Sequence, residues 1–76
     1  MSITVYTKPN CPQCSRTKAM LKSKGFDYEE VDVTTNEEIV EYLLSKGFRA
    51  LPVVETDKEM WSGFRYDKIK ELTYEK

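Results

Sequence analysis

Two cysteines stand three positions apart in the run Cys11-Pro12-Gln13-Cys14, and the chain holds no others. Residues at this spacing share a helix face, so their sulfurs can come close enough to form a disulfide. A bridge around so small a loop restricts the unfolded chain very little, so stability is not its use. The chemistry that suits the pair is thiol–disulfide exchange, in which one thiolate attacks a partner's disulfide and the second thiol resolves the mixed disulfide. Cys11 falls just before a predicted helix start, where unpaired N–H groups and the helix dipole favour a thiolate. Cys14 lies one turn further on, on the face expected to be buried. The tether between them makes its attack at Cys11 intramolecular.

Other uses of the pair can be weighed on ligand count. Tetrahedral zinc needs four ligands, and this chain has no histidine and no further cysteine. A dimer pooling four cysteines around a metal or an iron–sulfur cluster stays open as a non-enzymatic alternative. Two inert buried cysteines are a third reading, at odds with the flanking Pro12 and the helix start.

The totals narrow the field further. A chain of 76 residues makes one domain, 1–76, around a single compact core, with no room for a second domain or a large cofactor pocket. Twelve basic against 13 acidic residues leave a net charge of −1, which argues against nucleic acid as a partner. The opening Met1-Ser2-Ile3-Thr4-Val5-Tyr6 runs into Lys8 and Pro9 without the basic start and apolar stretch of a secretory signal. No segment has the apolar length of a membrane span. A closely spaced pair of cysteines in such a chain fits a reducing, cytoplasmic compartment where a disulfide is transient.

The elements that must position the cysteines can be read in order. Ile3 to Tyr6 has the β-branched and aromatic character of a strand, and Thr7 to Asn10 form a loop broken by Pro9. Pro12 to Lys24 is a predicted helix: Pro12 suits the first turn, Lys22 and Lys24 the last, and Gly25 the stop. Cys14, Thr17, Met20 and Leu21 share one of its faces. Tyr28 to Val33 is a second strand with Tyr28, Val31 and Val33 as inward positions. Thr35 and Glu38 have capping-box spacing and precede an apolar stripe of Ile39, Val40, Leu43 and Leu44 that Gly47 ends. Pro52 to Glu55 and Glu59 to Trp61 read as two strands joined by a polar hairpin turn. Tyr66 to Tyr74, with Ile69 and Leu72 inward, is a closing helix. The order βαβαββα predicts an α/β thioredoxin-like fold, a mixed four-stranded sheet flanked by helices.

Three further places could touch a partner. Pro52 is most simply a strand-start proline. If its preceding bond were cis, the backbone of Leu51 would face an extended partner segment beside Cys11. Tyr6, Trp61, Phe64 and Tyr66 read first as packing residues, with Trp61 and Phe64 alternatively forming a docking rim. Lys8 is a solvated loop charge whose closeness to the sulfurs also lets it favour a thiolate or an anionic substrate.

The run Val5 to Cys14 resembles a glutaredoxin active site, and the likeness continues through Leu51-Pro52-Val53-Val54. Three features look more like the NrdH-redoxin family, glutaredoxin-sized proteins with thioredoxin-like behaviour: Gln13 between the cysteines, Gly47-Phe48-Arg49-Ala50-Leu51-Pro52, and Trp61-Ser62-Gly63-Phe64-Arg65. The resemblance implies a monomeric dithiol–disulfide oxidoreductase with no bound cofactor. It also implies that electrons come from NADPH through thioredoxin reductase and pass to class Ib ribonucleotide reductase. It implies Cys11 as nucleophile and Cys14 as resolving thiol, with Lys8, Pro12, Gln13, Leu51, Pro52 and the Trp61 to Arg65 segment meeting the partner. Two positions depart from the pattern: Tyr66 stands where that family usually has proline, and Pro12 is more typical of glutaredoxins. The alternative is a glutathione-dependent glutaredoxin. Glutaredoxins hold the glutathione amine with an acidic residue after a Gly-Gly turn, whereas Arg65 here would repel it, a loss on the order of 1–3 kcal/mol. Lys8 pulls the other way, since it matches a glutaredoxin position that contacts a glutathione carboxylate.

Overall fold

The computed structural model describes residues 2–72. Four strands and three helices follow in order: β1 (Ile3–Thr7), α1 (Pro12–Ser23), β2 (Glu29–Asp32), α2 (Glu37–Ser45), β3 (Val53–Thr56), β4 (Met60–Ser62) and α3 (Tyr66–Glu71), with a 3-10 turn, Val33–Thr35, before α2. The sheet order is β2-β1-β3-β4. β1 runs parallel to β2, as the helical crossover between them requires, and antiparallel to β3, which pairs antiparallel with β4. This is the expected thioredoxin-like arrangement.

Strand alternation divides the core between the two faces of the sheet. Ile3, Val5, Val54 and Trp61 point to one face, where Leu21 of α1, Phe26 and Ile69 of α3 cover them. Tyr6 and Val53 point to the other, against Val33 and Leu43 of α2. On that second face the Glu55 carboxylate receives both the Tyr6 hydroxyl, at 2.7 Å, and the Tyr42 hydroxyl, at 2.8 Å, tying β1, β3 and α2 together. Burial and this carboxylate hold the Tyr6 hydroxyl above its ordinary pKa.

Both long helices end the same way. After α1, Gly25 at φ +81° donates to the Lys22 carbonyl and Phe26 to that of Leu21; after α2, Gly47 at φ +88° donates to Leu44 and Phe48 to Leu43. These are Schellman closures, in which a left-handed residue lets the chain reverse and seat an apolar side chain against the helix it leaves. Phe26 accordingly packs with Leu21, and Phe48 with Leu43.

Several expected boundaries move. The cap of α2 is Asn36, whose Oδ1 accepts the Glu38 N–H at 2.9 Å; Thr35 is used in the 3-10 turn, where its hydroxyl donates to the Asp32 carbonyl. That turn also removes Val33 from β2 while keeping it buried; at its other end β2 begins at Glu29, one residue after Tyr28. The α2 stripe is narrower than its sequence suggests, because Leu43 is buried and Ile39 half-buried, while Val40 and Leu44 (51% exposed) face outward. The two hairpin strands start one residue later than expected, β3 at Val53 and β4 at Met60. The end of the predicted third helix, 73–74, lies outside the described residues. No helix among the described residues is long and apolar enough to cross a membrane.

Ile69 is the one buried residue of the six-residue α3 and its apolar anchor to the sheet, beside an ion pair from Lys68 to Glu59 at 3.0 Å. Ile69→Ala is expected to cost about 2–4 kcal/mol, read as a lower urea midpoint at unchanged slope. A loss below about 0.5 kcal/mol would show that α3 is held by something else.

Candidate functional site

The β1–α1 junction carries the paired cysteines. Asn10 takes a left-handed conformation, φ 60°, which asparagine tolerates better than most residues, and the chain turns there into α1. Cys11 is the N-cap: its Sγ accepts the Cys14 N–H at 3.3 Å, in the manner of a capping oxygen. Pro12 occupies the first helical position, where its missing N–H leaves no bond unmade. Neither cysteine is in a disulfide. Cys11 is half-exposed, whereas Cys14 is only 2% exposed and faces inward with Thr17 and Leu21.

The two thiols are therefore chemically unequal. At Cys11, burial pushes the pKa up, but hydrogen bonds from the Cys14 thiol and N–H, the Lys8 charge and the Gln13 N–H outweigh it, and the pKa falls below the ordinary cysteine value. At Cys14, burial comes first and the hydrogen bond it donates to Cys11 second; its pKa is pushed up to about 11. At neutral pH the arrangement holds one accessible sulfur biased toward thiolate above one sheltered thiol.

A second loop closes on the pair. Gln13 Oε1 accepts the Phe64 N–H at 3.4 Å, and Gly63 N–H donates to the Pro52 carbonyl at 2.7 Å. Gly63 has φ +82°, and a Cβ placed on it would lie 3.8 Å from Gln13 Oε1, so the loop passes close beside the helix start. Gln13, Pro52, Gly63 and Phe64 are thus drawn together around the cysteines. The isomer that sequence left undecided is cis at Leu51–Pro52. Pro52 is buried, Leu51, Ser62, Gly63 and Phe64 half-buried, and Lys8, Pro12 and Gln13 exposed.

Two residues need correction. Trp61 does not form a docking rim: β4 sets it opposite Val54, which turns its ring into the core at 3% exposure. Arg65 is not a free cation, because its guanidinium meets Asp67 through Nε to Oδ1 at 3.1 Å and Nη2 to Oδ2 at 3.0 Å. Sequence reading also missed Thr7, Lys18, Glu30 and Asp32, which line an open cleft with Cys11 and Cys14. Lys18 could have been found from its i+4 spacing to Cys14; Glu30 and Asp32 reach the cleft only through the β1–β2 register. Among the described residues, no group of three or more His, Cys, Asp and Glu side chains is disposed to hold a metal ion.

Iodoacetamide is expected to label Cys11 of the reduced protein first. The rate should fall as pH drops through a midpoint below that of an ordinary cysteine, with Cys14 unlabelled at neutral pH by peptide mapping. Equal labelling of both would show that the environments do not differentiate them.

The family model described as Glutaredoxin matches residues 3–61. The glutaredoxin-like protein NrdH of Salmonella typhimurium is 47% identical over 72 residues, covering 95% of this chain and 89% of that protein. The solved structure of the NrdH-redoxin from Escherichia coli, described as having a thioredoxin-like activity profile, superposes with a TM-score of 0.95 at 43% identity over 100% of both chains. A glutaredoxin from Archaeoglobus fulgidus superposes with a TM-score of 0.83 at 28% identity, covering 93% of this chain and 84% of that one. With its thioredoxin-like sheet and its match to the glutaredoxin family over residues 3–61, the chain belongs to the glutaredoxin family and is a redoxin of the glutaredoxin-like NrdH kind.

Proposed function

We propose that this redoxin reduces protein disulfides in the cytoplasm with Cys11 as nucleophile and Cys14 as resolving thiol. The observation that carries the reading is the pairing of a half-exposed Cys11, capped by the Cys14 N–H, with a buried Cys14 one turn beneath it. Cys11 thiolate attacks one sulfur of a partner disulfide, and the other partner sulfur leaves with the electron pair and takes a proton. Cys14 then bonds to Cys11, freeing the second partner sulfur. The partner gains two electrons and two protons, and the redoxin is left with a Cys11–Cys14 disulfide that a donor must reduce.

Leu51, Pro52, Ser62, Gly63 and Phe64, drawn beside Pro12 and Gln13, form the surface that receives the partner segment. Lys8 stands at the exposed edge of the same site. The partner segment is extended, since only a strand-like backbone can lay a sulfur against Cys11 while following Leu51.

The donor in this proposal is thioredoxin reductase, drawing on NADPH, and the acceptor is class Ib ribonucleotide reductase. Support comes from the relatives, which include glutaredoxin-like NrdH proteins and one with a thioredoxin-like activity profile. It also comes from the 62–65 loop. Arg65 and Asp67 satisfy each other, so no free carboxylate awaits the glutathione amine there. Lys8, exposed beside Cys11, is the feature that favours the second reading, a glutathione-dependent glutaredoxin.

Re-reduction of the oxidised protein separates these readings. Thioredoxin reductase with NADPH is expected to act at least about ten-fold faster than glutathione with its reductase, as a difference of about 1.4 kcal/mol in activation would give. The opposite order would establish the glutathione reading. Cys14→Ser is expected to accumulate a mixed disulfide with the acceptor through Cys11, seen by non-reducing electrophoresis and mass spectrometry. Trapping by Cys14 in Cys11→Ser instead would reverse the two roles.

A further inference from the structure

The cleft beside Cys11 has a second wall made of charge. Lys18 lies four residues after Cys14 on α1, so both side chains leave the same side of the helix. Glu30 reaches across from β2, and its Oε2 accepts from Lys18 Nζ at 2.7 Å and from Thr7 Oγ1 at 3.1 Å. Thr7 is buried at the end of β1, next to β2 in the sheet. A buried hydroxyl thus fixes a carboxylate, and the carboxylate fixes an ammonium in the cleft that Cys14 lines. A partly exposed ion pair contributes little to folding, so the arrangement is poorly explained as a stabilising contact.

We propose that Lys18, held by Glu30 and Thr7, is a positioning residue for the resolving attack by Cys14. The inference rests on the exchange reaction proposed above and deepens it. In the free dithiol, Cys14 gives its hydrogen bond to Cys11 and faces the negative charge there, and both oppose its ionisation. Once Cys11 is bonded to a partner sulfur it carries no charge, and that opposition ends. Burial still opposes ionisation; the Lys8 backbone N–H and the Lys18 charge favour it. The charged groups around Cys14 are Lys8 from the β1–α1 loop, Lys18 on its own helix, and Glu30 and Asp32 on β2. Of the two cations, Lys18 is the one held in place by a hydrogen-bonded carboxylate.

The step balances without an added reagent. The Cys14 thiol releases its proton to water, and its sulfur bonds to Cys11 Sγ. The bond from Cys11 to the partner breaks, and the partner sulfur leaves with the electron pair and takes up a proton. Glu30 tempers the Lys18 charge, so the two residues act in opposite senses on one rate.

The test mixes the reduced chain with 5,5′-dithiobis(2-nitrobenzoate) in a stopped-flow instrument. The first release of coloured thiolate reports attack by Cys11, and the second reports resolution by Cys14. Lys18→Met is expected to lower the ratio of second to first rate about three- to ten-fold at pH 7 and to move the second phase's pH midpoint upward. Lys18→Arg should restore both, and Glu30→Gln, whose amide oxygen still accepts from Lys18 and Thr7 but carries no charge, should move them the opposite way. Salt should shrink the differences. The proposal fails if Lys18→Met and Glu30→Gln leave ratio and midpoint unchanged, or if both shift them in the same direction, as damaged folding would. A second phase that survives in Cys14→Ser would overturn the exchange reading itself, independently of Lys18.

Discussion

A single contact, the Cys14 N–H directed at Cys11 Sγ across 3.3 Å, joins the folding of this chain to its chemistry. Every helix begins with N–H groups that lack partners, and most proteins satisfy one with a side-chain oxygen. Here a sulfur takes that place. The donor that ends a structural deficit at the start of α1 also stabilises negative charge on the atom it points to. Because the capping residue and the donor are the two cysteines, forming the helix makes one thiol acidic and buries the other. The asymmetry follows from helix geometry and one proline that needs no hydrogen bond.

The rest of the molecule holds that junction still. β1 delivers the chain to Asn10 from the centre of the sheet, flanked by β2 and β3, and α1 is locked at its far end by the closure that seats Phe26 on Leu21. Gln13, between the cysteines, reaches the backbone of Phe64, while Gly63 reaches Pro52. Three segments distant in sequence therefore meet around the sulfurs through two backbone-directed hydrogen bonds. Neither contact depends on a charged side chain.

What could be read from sequence was whatever depends on neighbours along the chain. The order of elements followed from strand composition, Pro12, Gly25 and Gly47, and the thiol pair followed from spacing and helix polarity. What escaped depends on neighbours in space. Thr35 looked like a cap until the 3-10 turn used its hydroxyl, moving the role to Asn36. Trp61 looked available for contact until the β3–β4 register turned it inward. Arg65 looked like a lone cation because Asp67 lies only two residues on, a spacing that keeps side chains apart on a regular helix, whereas Arg65 sits at the non-helical cap of α3. Lys18 and Glu30 are far apart in sequence, and only the parallel pairing of β1 with β2 sets them on one cleft.

The borders of the sheet have a consequence for life in a crowded solution. One outer strand, β2, carries exposed Glu29 and Glu30, and the other, β4, is three residues long. A second molecule offering its own β2 side by side would bring carboxylates against carboxylates, and at β4 it would find few free backbone groups to grip. Both borders of the sheet are thereby poor templates for a second copy of the chain.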